Sequence, residues 1–217
     1  MKKLCIALIL LLMLACVGHA EDWNGQTALY QNVIDEWVAG LSAGPETEPT
    51  RESIENARIC VWNGSGLDPL EAVGYTLLDM NGDGIPELII GTAREFSPDD
   101  QLIFELLTLV DGQPVTLLEG WERNWLRLTL DTETNRFGYY YEGSNGASNS
   151  VWEHGLAGAD MSQWEEAHAL EVNYDLEGEQ AVWTLDGAEI PETQADALIA
   201  GWQAGICPIW LTPFAMF

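Results

Sequence analysis

Nine consecutive residues, Asp79-Met80-Asn81-Gly82-Asp83-Gly84-Ile85-Pro86-Glu87, carry the clearest chemistry in this chain. Oxygen-bearing side chains stand at positions 1, 3, 5 and 9 of the run. Calcium takes about six to eight oxygen ligands at ~2.3–2.6 Å and tolerates irregular geometry. Asp79 and Asp83 offer carboxylates, Asn81 an amide oxygen and Ile85 a backbone carbonyl. Glu87 would close the shell directly or through water. Gly82 and Gly84 permit the left-handed backbone that turns these groups inward. The competing reading is a plain turn, because Asn-Gly and Asp-Gly are ordinary turn formers. A plain turn has no need of acids at positions 1, 5 and 9 together. Mg²⁺ suits the loop less well, since it demands octahedral geometry and keeps its waters.

The flanks decide what kind of calcium loop this is. Tyr75 to Leu78 and Leu88 to Gly91 read as strands, and Pro86 does not invite a following helix. Position 12 is Ile90, where an EF-hand carries a bidentate Glu. A helix-loop-helix sensor is therefore excluded. The run resembles the strand-loop-strand calcium loop of the FG-GAP or integrin-α propeller repeat, through Asp79, Asn81, Asp83, Gly84 and Glu87. More broadly the chain is similar to exported bacterial proteins of unknown function that carry one such loop. These share the Tyr75-to-Leu88 context and an aliphatic-Thr-Pro-Phe tail, here Leu211 to Phe214. The resemblance implies Ca²⁺ as the bound cofactor and is strong over residues 75 to 91. A propeller needs several blades, and the loop occurs once.

The remaining periodicity describes what must hold the loop. Thr27 to Leu41 predicts a helix with Leu29, Val33, Trp37 and Leu41 on one stripe. A linker over Ser42 to Thr50 follows, then a short helix from Arg51 to about Arg58, with Asp68-Pro69 placed to cap a third. Gln101 to Val110 reads as a central strand and Asp111-Gly112 as a hairpin turn. Trp125–Leu130, Phe137–Tyr141, Val151–His154, Glu166–Tyr174 and Gln180–Leu185 continue as strands, with turns at Glu177-Gly178 and Asp186-Gly187. Pro191 opens a last helix to about Trp202. Hairpins succeed one another with no βαβ rhythm. The expected fold is α+β: one twisted antiparallel sheet with an N-terminal and a C-terminal helix packed on it.

The chain's beginning predicts export. Lys2 and Lys3 precede an apolar run, Leu4 to Ala15, too short to span a bilayer. Cleavage after Gly18-His19-Ala20 would start the exported chain at Glu21, as one acidic domain over 21–217. The alternative exit, the lipobox-like Met13-Leu14-Ala15-Cys16, would leave Cys16 lipidated and the chain anchored. Beyond residue 20 six Arg face 35 acids without a Lys, a net charge of −29. Nucleic acid is excluded as a partner, since phosphate binding needs clustered Lys and Arg. No transmembrane segment is expected in the exported chain. A bound divalent cation would relieve some of the self-repulsion. Cys60 and Cys207, the two cysteines beyond the signal, suggest a bridge in an oxidising compartment; two separate thiols are the alternative.

Other chemistry is weaker. His168 shares an alternating face with Leu170, Val172 and Tyr174 and reads as a core histidine. His154 follows a Ser-rich loop, but no nucleophile elbow accompanies it. Adjacent acids such as Asp99-Asp100 and Glu165-Glu166 read as solvated. Trp121, Trp125, Tyr139, Tyr140, Tyr141 and Trp152 lie in neighbouring strands and form either core or a ligand face for a glycan or a protein. Consecutive tyrosines cannot all point inward on a strand. The expectation is an exported calcium-stabilised domain, a binding or surface module rather than an enzyme. The alternative is a hydrolase acting on extracellular glycan or peptidoglycan through paired carboxylates.

Overall fold

The computed structural model describes residues 25–44, 46–64, 67–93, 101–120, 124–144, 149–161, 163–174 and 181–216. The signal segment with Cys16, Trp121, the Asp99-Asp100 pair and the Glu177-Gly178 turn lie outside the described residues. A 3₁₀ turn at Thr27–Leu29 leads into α1 (Gln31–Ser42). There follow α2 (Glu52–Gly64) and the single-turn α3 (Pro69–Ala72). The Asp68 side chain accepts the Leu70 N–H and Pro69 takes the first helical position, the cap its sequence predicts.

Among the described residues eleven strands form two antiparallel sheets, where one was expected. The first sheet holds β1 (Val73–Leu78), β2 (Glu87–Thr92), β3 (Ile103–Val110), β4 (Gln113–Glu119) and the short β11 (Thr212–Pro213), in the order β11-β1-β2-β3-β4. The second is an up-and-down run of β5 (Trp125–Asp131), β6 (Arg136–Gly143), β7 (Asn149–Ala157), β8 (Trp164–Tyr174), β9 (Ala181–Leu185) and β10 (Ala188–Ile190). The split falls between β4 and β5. β4 pairs only with β3 and is mostly exposed, so it is an edge, and β5 starts afresh across the layer.

Three clusters show how the layers stack. Val33, Ile34, Trp37 and Leu41 of α1, with Ile54, Ala57 and Val61 of α2, cover Leu88, Ile90, Phe104 and Leu107 on one face of the first sheet. On its other face Ile89, Ile103 and Leu106 meet Leu126, Leu128 and Tyr139 of the second sheet. The outer face of the second sheet carries α4 (Glu192–Ala204): Ala195 and Trp202 pack on Tyr140 and Leu170. β2 and β3 are thus covered on both faces, which is why they read as nearly unbroken apolar runs. No described helix is long and apolar enough to cross a membrane.

Two polar groups interrupt the apolar run of β3, and both are structural anchors. Glu105, 0 % exposed, turns to the helix side. It accepts hydrogen bonds from Trp37 Nε1 (2.8 Å), Arg51 Nη1 (2.7 Å), Ser53 Oγ (3.2 Å) and Thr116 Oγ1 (2.8 Å). One carboxylate so ties α1, α2 and β4 to the sheet. Thr108 faces the other way, toward the acidic loop.

Candidate metal centre

The loop between β1 and β2 is wrapped by its own first residue. Asp79 Oδ1 accepts the N–H groups of Gly82 (2.7 Å) and Asp83 (3.1 Å), and Oδ2 accepts that of Gly84 (2.9 Å). Gly82 and Gly84 hold φ of 79° and 84°, a conformation a Cβ would strain. Asp83 Oδ1 accepts from Ile85 N (2.7 Å), and Asn81 Oδ1 from Asp83 N (3.2 Å). The structure therefore brings Asp79, Asn81 and Asp83 around one tight turn, with Ile85 leaving it.

Glu87 behaves differently. It is 0 % exposed at the start of β2. Its Oε2 accepts the Met80 N–H (2.9 Å) and its Oε1 the Thr108 hydroxyl (3.0 Å). Burial, with Asp83 and Asp79 adding to it, pushes its carboxyl up to about 7 against the two hydrogen bonds. Glu87 thus lies within the electrostatic reach of the loop acids while its oxygens hold β1's exit and β3. Among the described residues no three His, Cys, Asp or Glu side chains converge closely enough to chelate an ion. The donor types and the curl of the loop fit calcium; the Glu87 oxygens would join the shell through water or by turning.

Two neighbours brace the loop. Tyr30, buried ahead of α1, donates its hydroxyl to Pro86 O (2.8 Å), and burial together with the nearby Glu87 charge raises its own pKa. Asn81 Nδ2 donates to Ala159 O (2.9 Å) in the turn between β7 and β8. Thr108, Tyr30 and Ala159 were not foreseen. Thr108 alone left a trace, as a hydroxyl in an otherwise apolar strand.

The candidate ligand face does not assemble. Tyr139 packs between the sheets edge-on to Trp164 at 4.8 Å. Tyr140, 0 % exposed, lies beneath α4 with its hydroxyl donated to Glu142 (2.9 Å). Tyr141 is half-buried on the Tyr139 side and bonds Asn124. Trp152 stacks on Trp183 under α4 at 5.5 Å. Trp125 alone of the five is exposed, at 47 %, with the Arg127 guanidinium 4.8 Å over its ring. Alternation sends neighbours to opposite faces, and both faces are covered.

The remaining candidates resolve differently. His168 is not a core residue: it sits at the exposed end of β8 and bonds Asp186 Oδ2 at 2.8 Å. His154 stacks flat on Trp202 at 5.6 Å, and burial with the adjacent His168 lowers its pKa. Cys60 and Cys207 are not joined to each other. Cys60 packs with the helical cluster, whereas the Cys207 N–H bonds Leu128 O on the second sheet. Glu165 and Glu166 are exposed, as expected, and both also bind Arg136.

No protein-family model matches the chain, and neither a curated protein nor a solved structure does.

Proposed function

We propose that this chain is an exported domain holding one calcium ion in the loop 79–87, with the metal serving structure rather than catalysis. One observation carries the reading. Buried Glu87 lies in the field of both Asp79 and Asp83, and none of the three is paired with a described arginine. Asp79, Asn81 and Asp83 would hold the ion with the Ile85 carbonyl, and Glu87 would complete the set. The ion supplies positive charge where the chain has none to spare. In an exported compartment with roughly millimolar calcium, a dissociation constant of ~10⁻⁴ M suffices. The loop runs directly into β2, which is covered on both faces, so an ion there would bear on the core.

Thermal unfolding in excess EDTA and in excess calcium tests the proposal, beside an Asp79→Ala/Asp83→Ala double variant. At a hundredfold excess over Kd the ion stabilises the fold by about 2.7 kcal/mol. The midpoint is expected to rise in the native protein and to stay put in the variant. An unchanged native midpoint would reduce the loop to a turn.

A further inference from the structure

The two histidines beyond residue 20 stand opposite each other on the outer face of the second sheet. His154 of β7 pairs in register with His168 of β8 on one side and with Tyr140 of β6 on the other. Residues so paired project to the same face, with Cβ atoms about 4.5–5.5 Å apart. That face is the one α4 covers. The His154 ring lies flat on Trp202, with 5.6 Å between centroids and 4° between planes. Ala195 and Trp202 are the buried residues of α4, so Trp202 is its main anchor. Gln203 beside it donates to the Tyr140 hydroxyl at 3.1 Å. We propose that this row is an acid-sensitive latch, in which a proton on His154 loosens α4 from the second sheet.

The surroundings of His154 favour its neutral form. Burial first, and then the facing His168, hold its pKa below the ordinary imidazole value. Asp186 Oδ2, 2.8 Å from His168 Nδ1, accommodates a charged ring there, so a proton on His154 meets a like charge directly opposite. Arg127, opposite Tyr140 in the same row, brings further positive charge. The anions on the neighbouring strands pull the other way but are engaged elsewhere. Glu166 of β8 binds Arg136 at 2.9 Å, and Asp131 of β5 accepts the Thr134 hydroxyl at 2.6 Å. Glu142 of β6 accepts the Tyr140 hydroxyl. α4 offers no carboxylate in its last two turns, since no residue after Asp196 is charged. The indole face itself attracts a cation and opposes the latch.

The sign follows from the depressed pKa. Such a histidine contributes stability that is complete above its unfolded value of about 6.5 and is withdrawn as pH falls below it. The exit of α4 stays pinned to β5, where Gly205 O accepts the Leu130 N–H at 2.8 Å, so the helix loosens without leaving. Loosening uncovers Leu170, Trp152 and Trp183, which pack with it.

Hydrogen exchange on the full chain at pH 7.5 and pH 5, corrected for intrinsic rates, tests the latch. Protection of the helix amides Leu198–Gln203 is expected to fall about fivefold at the lower pH. It should stay below that of Leu88–Ile90 in β2. His154→Phe keeps a flat ring for Trp202 and cannot charge, so the pH dependence should vanish; in His168→Gln it should shrink. Equal protection of the native helix at both pH values overturns the proposal, as does a fall that persists in His154→Phe. Helix protection equal to that of β2 overturns it too, because the opening is then global. Should His154→Phe not fold, the imidazole signals of the native chain decide. His154 titrating below about 6.5, with the Trp202 indole signal moving in step, supports the latch. Titration at or above that value, or an indole signal that does not move, overturns it.

Discussion

Glu87 and Glu105 are both fully buried glutamates on adjacent strands of one sheet, and they face opposite ways. Glu105 looks toward the helices and collects an arginine, an indole N–H and two hydroxyls. Glu87 looks toward the second sheet and collects one backbone N–H and one hydroxyl, with two aspartates nearby and, among the described residues, no cation paired with it. Equal burial therefore has opposite meaning. A buried carboxylate with a guanidinium and full hydrogen bonding is a fastener. One among like charges is held against its own desolvation.

The largest effect should come from breaking the fastener. Glu105→Gln strips Arg51 of its buried partner, and removing one member of a buried pair costs about 3–5 kcal/mol. Urea denaturation should show that loss with and without calcium. A loss below about 1 kcal/mol, the scale of a surface pair, would mean the cluster is not what joins helices to sheet.

Alkali should come next, because the tyrosines of these layers are buried as well. Burial pushes Tyr139 up to about 12 and also raises Tyr140, Tyr141, Tyr30 and Tyr75. A tyrosine whose folded pKa exceeds its unfolded value contributes stability that is complete below about pH 10 and lost as pH rises through the folded pKa. Tyr139 alone should withdraw about 2 kcal/mol between pH 10 and 12. Stability at pH 11.5 equal to that at pH 9 would contradict the burial of this layer.

The smallest and most pointed effect is expected at Glu87. In EDTA at pH 8, Glu87→Gln removes an unpaired buried charge and keeps an acceptor for Met80. The variant should be as stable as the native chain or more so, by about 1–2 kcal/mol, a gain smaller than the pKa displacement alone would imply. The sign is the point, since Glu105→Gln goes the other way. In calcium the order should reverse, because the variant has one carboxylate fewer for the ion.

Sequence and structure agree where the signal is local. The spacing of Asp79, Asn81, Asp83 and the two glycines is sufficient to draw the loop. The stripe of Val33, Trp37 and Leu41 draws α1, and Asp111-Gly112 draws its hairpin with φ of 52° and 74°. What was not legible depends on pairing at a distance. Nothing in Gln113–Glu119 tells that β5 will start a second sheet instead of joining the first. Tyr139, Tyr140 and Tyr141 could be seen to alternate, but not that α4 would cover one side and the first sheet the other. His168 follows the same alternation as Leu170 and Val172 and still ends up outside, because the cover stops short of that end of β8. The partners of Glu105 come from 11 to 68 residues away, so a lone Glu in β3 reads only as an interruption.

The central claim is that the loop acids hold one calcium ion. The most direct measurement is calorimetric titration of calcium into EDTA-stripped, dialysed protein. One ion per chain is predicted, lost in Asp79→Ala/Asp83→Ala and weakened in Glu87→Gln, with Glu105→Gln binding like the native chain wherever it remains folded. Absence of binding in the native chain at millimolar calcium, or binding that survives the double variant, would contradict the account.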